Sequence, residues 1–174
     1  MRIAIIASGS RGDVQPYVAL GKGLQAAGHQ IRLVTHEDFC TLVQGNGLAF
    51  WPVKGSVQAV AQGAEMRERI EKGRFLALLR QMAQAAEQGA IYMAEGSLVA
   101  CRGMDLVIAG FGGLYVGVAI GEKLGLPLLQ AHYVPFTPTR AFPSAVFPAL
   151  RLGGRLRGAY NLWTHAVAEW LMQQ

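Results

Sequence analysis

Charge is what this 174-residue chain has least of: 16% of its residues are Asp, Glu, Lys or Arg, against about 25% in an ordinary globular domain. Cysteine is nearly missing too. Two residues, Cys40 and Cys101, cannot staple a domain of this size, which excludes a disulfide scaffold and suits a cytoplasmic chain with reduced thiols. No uninterrupted apolar run reaches the roughly 20 residues that span a bilayer, and the apolar start at residues 3–7 is too short for a signal peptide. Acids are lacking over one long window, with none between Glu122 and Glu169. What is present is apolar material, 52% of the chain, and 22 glycines. That is ample for a core and excludes intrinsic disorder. The length fits a single domain.

The acid-free window holds Lys123, Arg140, Arg151, Arg155 and Arg157, part of a net charge of +5. A basic, aromatic-bearing segment of this kind reads as a solvated edge, as a surface for anionic lipid, or as a contact for a phosphorylated ligand. Nucleic acid is poorly supported, because the basic residues are sparse and no recognised module appears.

Short apolar runs alternate with helical patterns. Residues 2–8 (RIAIIAS) read as a buried strand closed by Gly9. Tyr17, Leu20, Leu24 and Ala27 recur at helical spacing over residues 16–27, with Pro16 suited to a first turn and Gly28 to a C-terminal cap. Residues 30–36 predict a second strand, 39–44 a short helix stopped by Gly45-Asn46-Gly47, and 48–53 a third strand. Phe75, Leu79, Met82, Ala86, Ala90 and Met93 make one helical stripe. A strand at 105–110, a helix at 114–124 and a strand at 127–133 follow. Four prolines between residues 134 and 150 forbid a regular helix there, and a loop of that length is a functional one or a mobile one. Leu156, Tyr160, Trp163, Val167, Trp170 and Leu171 then share one face of a terminal helix. The pattern predicts an α/β fold, a Rossmann-like parallel sheet with flanking helices.

In such a sheet ligands bind beyond the carboxyl ends of the strands. That rule gathers residues 8–13, 36–39, 110–115 and 132–139 on one rim and places Arg2 and Asp105 at the other end as structural residues. Gly9-Ser10-Arg11-Gly12-Asp13 permits a tight turn into a helix, where free N–H groups favour an anion. It has neither the dinucleotide spacing nor the Lys-Ser/Thr pair of a phosphate loop. Spacing alone reads Asp13 first as a helix cap; its functional reading is a general base for a bound hydroxyl. Phe111-Gly112-Gly113 reads as close helix–sheet packing or as a second backbone-donor site. His132 reads as a structural residue or a ligand contact. The four histidines show no metal-ligand spacing with the cysteines, and no metal is expected.

The segment GSRGDVQPYVALGKGLQAAGHQIRLVTHEDF, residues 9–39, closely resembles the amino-terminal domain of sterol 3-beta-glucosyltransferases and of glycopeptide-antibiotic glycosyltransferases, the glycosyltransferase family 28 amino-terminal domain. YVPFTPTRAFP at 133–143 and YNLWTH at 160–165 extend the resemblance, more toward the sterol branch. It implies the amino-terminal half of a GT-B enzyme, which holds the acceptor, while a carboxyl-terminal donor domain holds the nucleotide sugar. Residues 1–174 would then be the acceptor domain, with the donor domain absent and no transfer by this chain alone. The implied chemistry moves a hexose, as from UDP-glucose, to a hydroxyl of a sterol-like acceptor with inversion and without a metal or other cofactor. Asp13 matches the family's base, and Ser10 matches an acceptor-side or base-orienting residue of the same loop. Phe111, His132, Phe136, Phe142 and Phe147, with Met82, are the candidate acceptor contacts, although each aromatic taken alone reads first as ordinary core, and the Arg140 to Arg157 patch is a candidate peripheral membrane contact. Two other readings stay open: a natural acceptor subunit of a split glycosyltransferase, and a non-catalytic regulatory domain that binds a nucleotide through the first loop.

Overall fold

The computed structural model describes residues 1–55, 75–135, 137–145, 147–150 and 152–173, the side chains of 75–87, 111 and 171–173 excepted. Strand β1 (Arg2–Ile6) lies at the middle of a five-stranded sheet with β2 (Gln30–His36), β3 (Ala49–Val53), β4 (Leu106–Ala109) and β5 (Leu128–Gln130), in the order β3-β2-β1-β4-β5. Every pairing is parallel, with Ile6 opposite Val34 on one side and Ala109 on the other. Because β1 is covered on both faces it can be apolar throughout. Ile3 to Ala7 are all within 2% of full burial, and each buried Ile is worth roughly 1.5–3 kcal/mol of transfer free energy.

Helices α1 (Arg11–Ala26) and α2 (Cys40–Gln44) follow β1 and β2; α3 (Phe75–Cys101) and α4 (Leu114–Leu124) precede β4 and β5. Ala4, Ile6, Val34, Val107 and Ala109 form one core with Met93, Ala100 and Cys101 of α3 and Ile120 of α4. On the α1 side Gly21 sits close over Ile5, Ile31 and Leu48. Burial pushes the Cys101 thiol up to about 11, and both cysteines are free.

Three boundaries differ from the sequence reading by more than two residues or in the type of element. α1 begins at Arg11, not Pro16, because Ser10 and Asp13 start it a turn earlier; Pro16 lies inside and leaves the Gly12 carbonyl without its ladder donor. The segment before α2 is a 3-10 turn, Glu37–Phe39. β5 stops at Gln130, since β4, its one partner strand, offers register partners only from Val107 to Ala109. His132 therefore lies beyond the strand end.

The chain divides into two units, Met1–Ala131 and His132–Gln174. The second consists of the Pro-rich segment and α5 (Gly154–Gln173). Here the polar side of the helix is buried: Asn161 Nδ2 donates to the Arg140 carbonyl (2.8 Å), Thr164 Oγ1 accepts from the Ser144 N–H (2.9 Å), and His165 Nε2 donates to the Phe142 carbonyl (3.3 Å). Prolines remove N–H groups from this segment; besides its own bonds, Phe147 N–H to the Ser144 carbonyl and Ala141 N–H to Thr139 Oγ1, these helix side chains pair with its main chain. Among the described residues no helix is long and apolar enough to cross a membrane.

Candidate active site

The sheet order reverses between β1 and β4, so the loops after these strands flank the crevice where open α/β sheets bind ligands. Backbone runs against backbone here. A Cβ on Gly112 or Gly113 would strike the carbonyls of Ser8 or Ile6, and one on Gly110 would overlap the Tyr17 hydroxyl and the Ala131 carbonyl. The Gly113 N–H is taken by the Gly110 carbonyl (2.9 Å). Close packing is what this loop does, which leaves that N–H no role as a donor to a ligand.

Asp13 occupies the third position of α1, half-buried, and its Oδ2 accepts the Ser10 N–H at 2.5 Å. The Asp13 and Val14 N–H groups both turn to the Ser10 carbonyl, at 3.0 and 3.2 Å. The carboxylate thus sits at the positive end of the helix, where the dipole favours an anion. Gly9 makes room for it: with φ at 125° and the carboxylate against its α-carbon, a side chain there is excluded twice over. One turn on, the Tyr17 hydroxyl donates to the Ala131 carbonyl at 2.7 Å, and burial with the Asp13 charge holds its pKa above the usual value.

Beside this loop stands a pair that the sequence reading did not single out. His36 ends β2 and is buried; its Nδ1 lies 3.1 Å from the Gly55 carbonyl and its Nε2 3.1 Å from Ser8 Oγ. A carbonyl only accepts, so Nδ1 carries the hydrogen and Nε2 accepts the Ser8 O–H. Desolvation lowers the His36 pKa, keeping the ring neutral. The signal was available: continuing the β1–β2 register from Ile6 and Val34 places Ser8 opposite His36.

Of the candidate residues, Ser10 and Asp13 come together. Phe111 opens the 3-10 turn after β4, and its side chain, like that of Met82, lies outside the described residues, as does Phe136 altogether. His132, Phe142 and Phe147 belong to the second unit. Phe142 meets His165 edge-on at 6.2 Å, and Phe147 meets Trp163 at 5.8 Å. Arg2 and Asp105 pair at 2.7 Å at the other end of the sheet. Among the described residues no three His, Cys, Asp or Glu side chains gather as a metal site.

Residues 3–143 match the model of the glycosyltransferase family 28 N-terminal domain. The chain belongs to that family. It is 38% identical over 171 residues to a sterol 3-beta-glucosyltransferase of Glomerella lagenarium and 37% identical over the same length to one of Neurospora crassa, in each case over 97% of this chain. The family 28 domain described here spans about a tenth of the length of those relatives, 11% and 10%. Its sheet and flanking helices match the amino-terminal halves of GT-B glycosyltransferases. The crystal structure of SsfS6, a glycosyltransferase of Streptomyces sp. SF2575, superposes with a TM-score of 0.56 at 26% identity, covering 82% of this chain and 41% of that one.

Proposed function

We propose that this chain is the acceptor-binding half of an inverting glycosyltransferase and that Asp13 is its base. The observation that carries this reading is the Asp13 carboxylate at the start of α1, gripped by the Ser10 N–H at the switch point of the sheet. A phosphate-binding regulatory loop needs that helix end for its own anion. A carboxylate already there repels one. The same carboxylate, half-exposed and fixed in orientation, suits an acceptor hydroxyl: as the oxygen attacks the anomeric carbon, its proton passes to Asp13 and the nucleotide leaves with the bonding electrons from the opposite face.

The similarity to proteins named sterol 3-beta-glucosyltransferases supports a sterol-like or other lipophilic acceptor and a glucose donor such as UDP-glucose. The nucleotide sugar is held by a carboxyl-terminal donor domain, in cis or in trans, and no metal is required. Phe111, His132, Phe136, Phe142 and Phe147 are the proposed acceptor contacts, and Ser10 orients the base.

The test is Asp13→Asn with a donor domain supplied, read by initial rates over a range of acceptor concentrations. Turnover is expected to fall by a factor on the order of 100 or more with acceptor KM roughly unchanged. Unaltered turnover would leave Asp13 a helix cap and nothing more.

A further inference from the structure

We propose that His36 is a positioning residue for the base, acting through Ser8: the hydrogen bond between them holds the loop of residues 8–10 so that the Ser10 N–H stays aimed at the Asp13 carboxylate. The inference rests on Asp13 as base and gives a task to a buried histidine that the transfer chemistry does not otherwise use.

The main-chain ladder between β1 and β2 reaches as far as Ala7, whose N–H meets the Val34 carbonyl at 3.0 Å. From there the chain must leave the sheet, turn through Gly9 at φ 125° and present the Ser10 N–H to Asp13 Oδ2. Among the described residues, the one hydrogen bond at Ser8 or Gly9 runs from the Ser8 hydroxyl to His36 Nε2, at 3.1 Å. It continues the ladder by one rung, with side chains in place of main chain. On the opposite side the α-carbon of Gly112 sits so close to the Ser8 carbonyl that no Cβ fits. Ser8 is thus held between β2 and the loop after β4, two residues ahead of the N–H that grips the base.

His36 is itself held from behind. The residue is 4% exposed, and a buried imidazole without partners would be costly. Nδ1 donates to the Gly55 carbonyl, 3.1 Å away. Gly55 in turn lies against α3: a Cβ there would meet the Tyr92 ring and His36 Nδ1 at 4.0 Å each. The bond to Gly55 selects the tautomer, and the tautomer leaves Nε2 a lone pair for the Ser8 O–H. Packing alone asks only for an apolar ring at this place. The second nitrogen, committed to a half-buried serine at the rim of the crevice, is what packing does not explain. Proton transfer is sensitive to such support, since misplacing a reacting group by about 1 Å can cost about a hundredfold in rate.

The test supplies a donor domain and compares kcat with acceptor KM. Ser8→Ala removes the bond without altering the buried ring. His36→Asn keeps a donor for Gly55 and falls short of Ser8, whereas His36→Gln places an amide oxygen near the site of Nε2, where it accepts the Ser8 O–H. Ser8→Ala and His36→Asn are expected to lower kcat about tenfold with KM roughly unchanged, and His36→Gln to recover most of the loss. In an Asp13→Asn background Ser8→Ala is expected to cost nothing further, because an anchor that works through the base then has no base to place. The 174-residue chain alone gives a second readout by NMR. Its Ser10 amide proton, held downfield by the carboxylate, is expected to move upfield in Ser8→Ala and to stay in place in His36→Gln.

Full turnover in Asp13→Asn removes the base and this inference with it. Lost turnover in Asp13→Asn beside full kcat in Ser8→Ala overturns the anchor alone and leaves the base standing. A Ser8→Ala loss of equal size in both backgrounds also overturns it, since the bond would then be structural only, as does a Ser10 amide that Ser8→Ala leaves unmoved.

Discussion

At the first turn of α1, Asn and Ala substitutions at Asp13 separate two roles. Asn keeps an oxygen for the Ser10 N–H, so helix and stability survive while proton transfer is lost. Ala removes both and is expected to lower the unfolding free energy by about 1 kcal/mol more than Asn does, measured by chemical denaturation. Asp105 answers a different question. Its hydrogen bonds from the Arg2 guanidinium and N–H hold its pKa down to about 2, below the ordinary 3.8. A depressed carboxylate stabilises the fold above its unfolded pKa and loses that contribution as pH falls through the folded one. Asp105→Asn is therefore expected to flatten the fall in stability between about pH 4 and pH 2 and to leave site chemistry alone. Ser10, Gly9 and Asp13 were legible in the sequence because a cap and its loop are local. The Ser8–His36 bond was harder to see, because it joins residues 28 apart that only parallel strand pairing brings together.

At the scale of elements, β1, β2 and β4 were legible because continuous runs of Ile, Val and Leu mark strands buried on both faces. Pro16 misled the reading of α1, whose start is set by Ser10 and Asp13 upstream. In α5 the periodicity showed which residues share a face and not which face is covered, since the Pro-rich segment recruits polar partners rather than apolar ones. Thr164 is central to that recruitment: fully buried, its hydroxyl donates to the Asn161 carbonyl at 2.6 Å and accepts the Ser144 N–H. Thr164→Val preserves shape and leaves that N–H unpaired. It is expected to cost about 1–3 kcal/mol and to speed hydrogen exchange at the Ser144 amide.

For the molecule as a whole, the sheet reversal beside β1 sets where chemistry is expected, and the family relationship sets which chemistry is proposed. The 174-residue chain by itself is expected to bind a lipophilic acceptor, measured with a tritiated sterol, and to transfer no sugar from UDP-glucose until a donor domain is added. Robust transfer by this chain alone would contradict the half-site reading. The scarcity of charge is consistent with surfaces meant to be covered, by a donor domain or by lipid.

The bonds from α5 to the Pro-rich segment also constrain recombination. Asn161, Thr164 and His165 read main-chain groups of Arg140, Ser144 and Phe142, so segment and helix form one heritable cassette. Chimeras that exchange acceptor preference between relatives should join at the end of β5 and carry residues 132–173 intact. A junction inside the segment would pair one parent's prolines with the other parent's helix, and the graft would come loose.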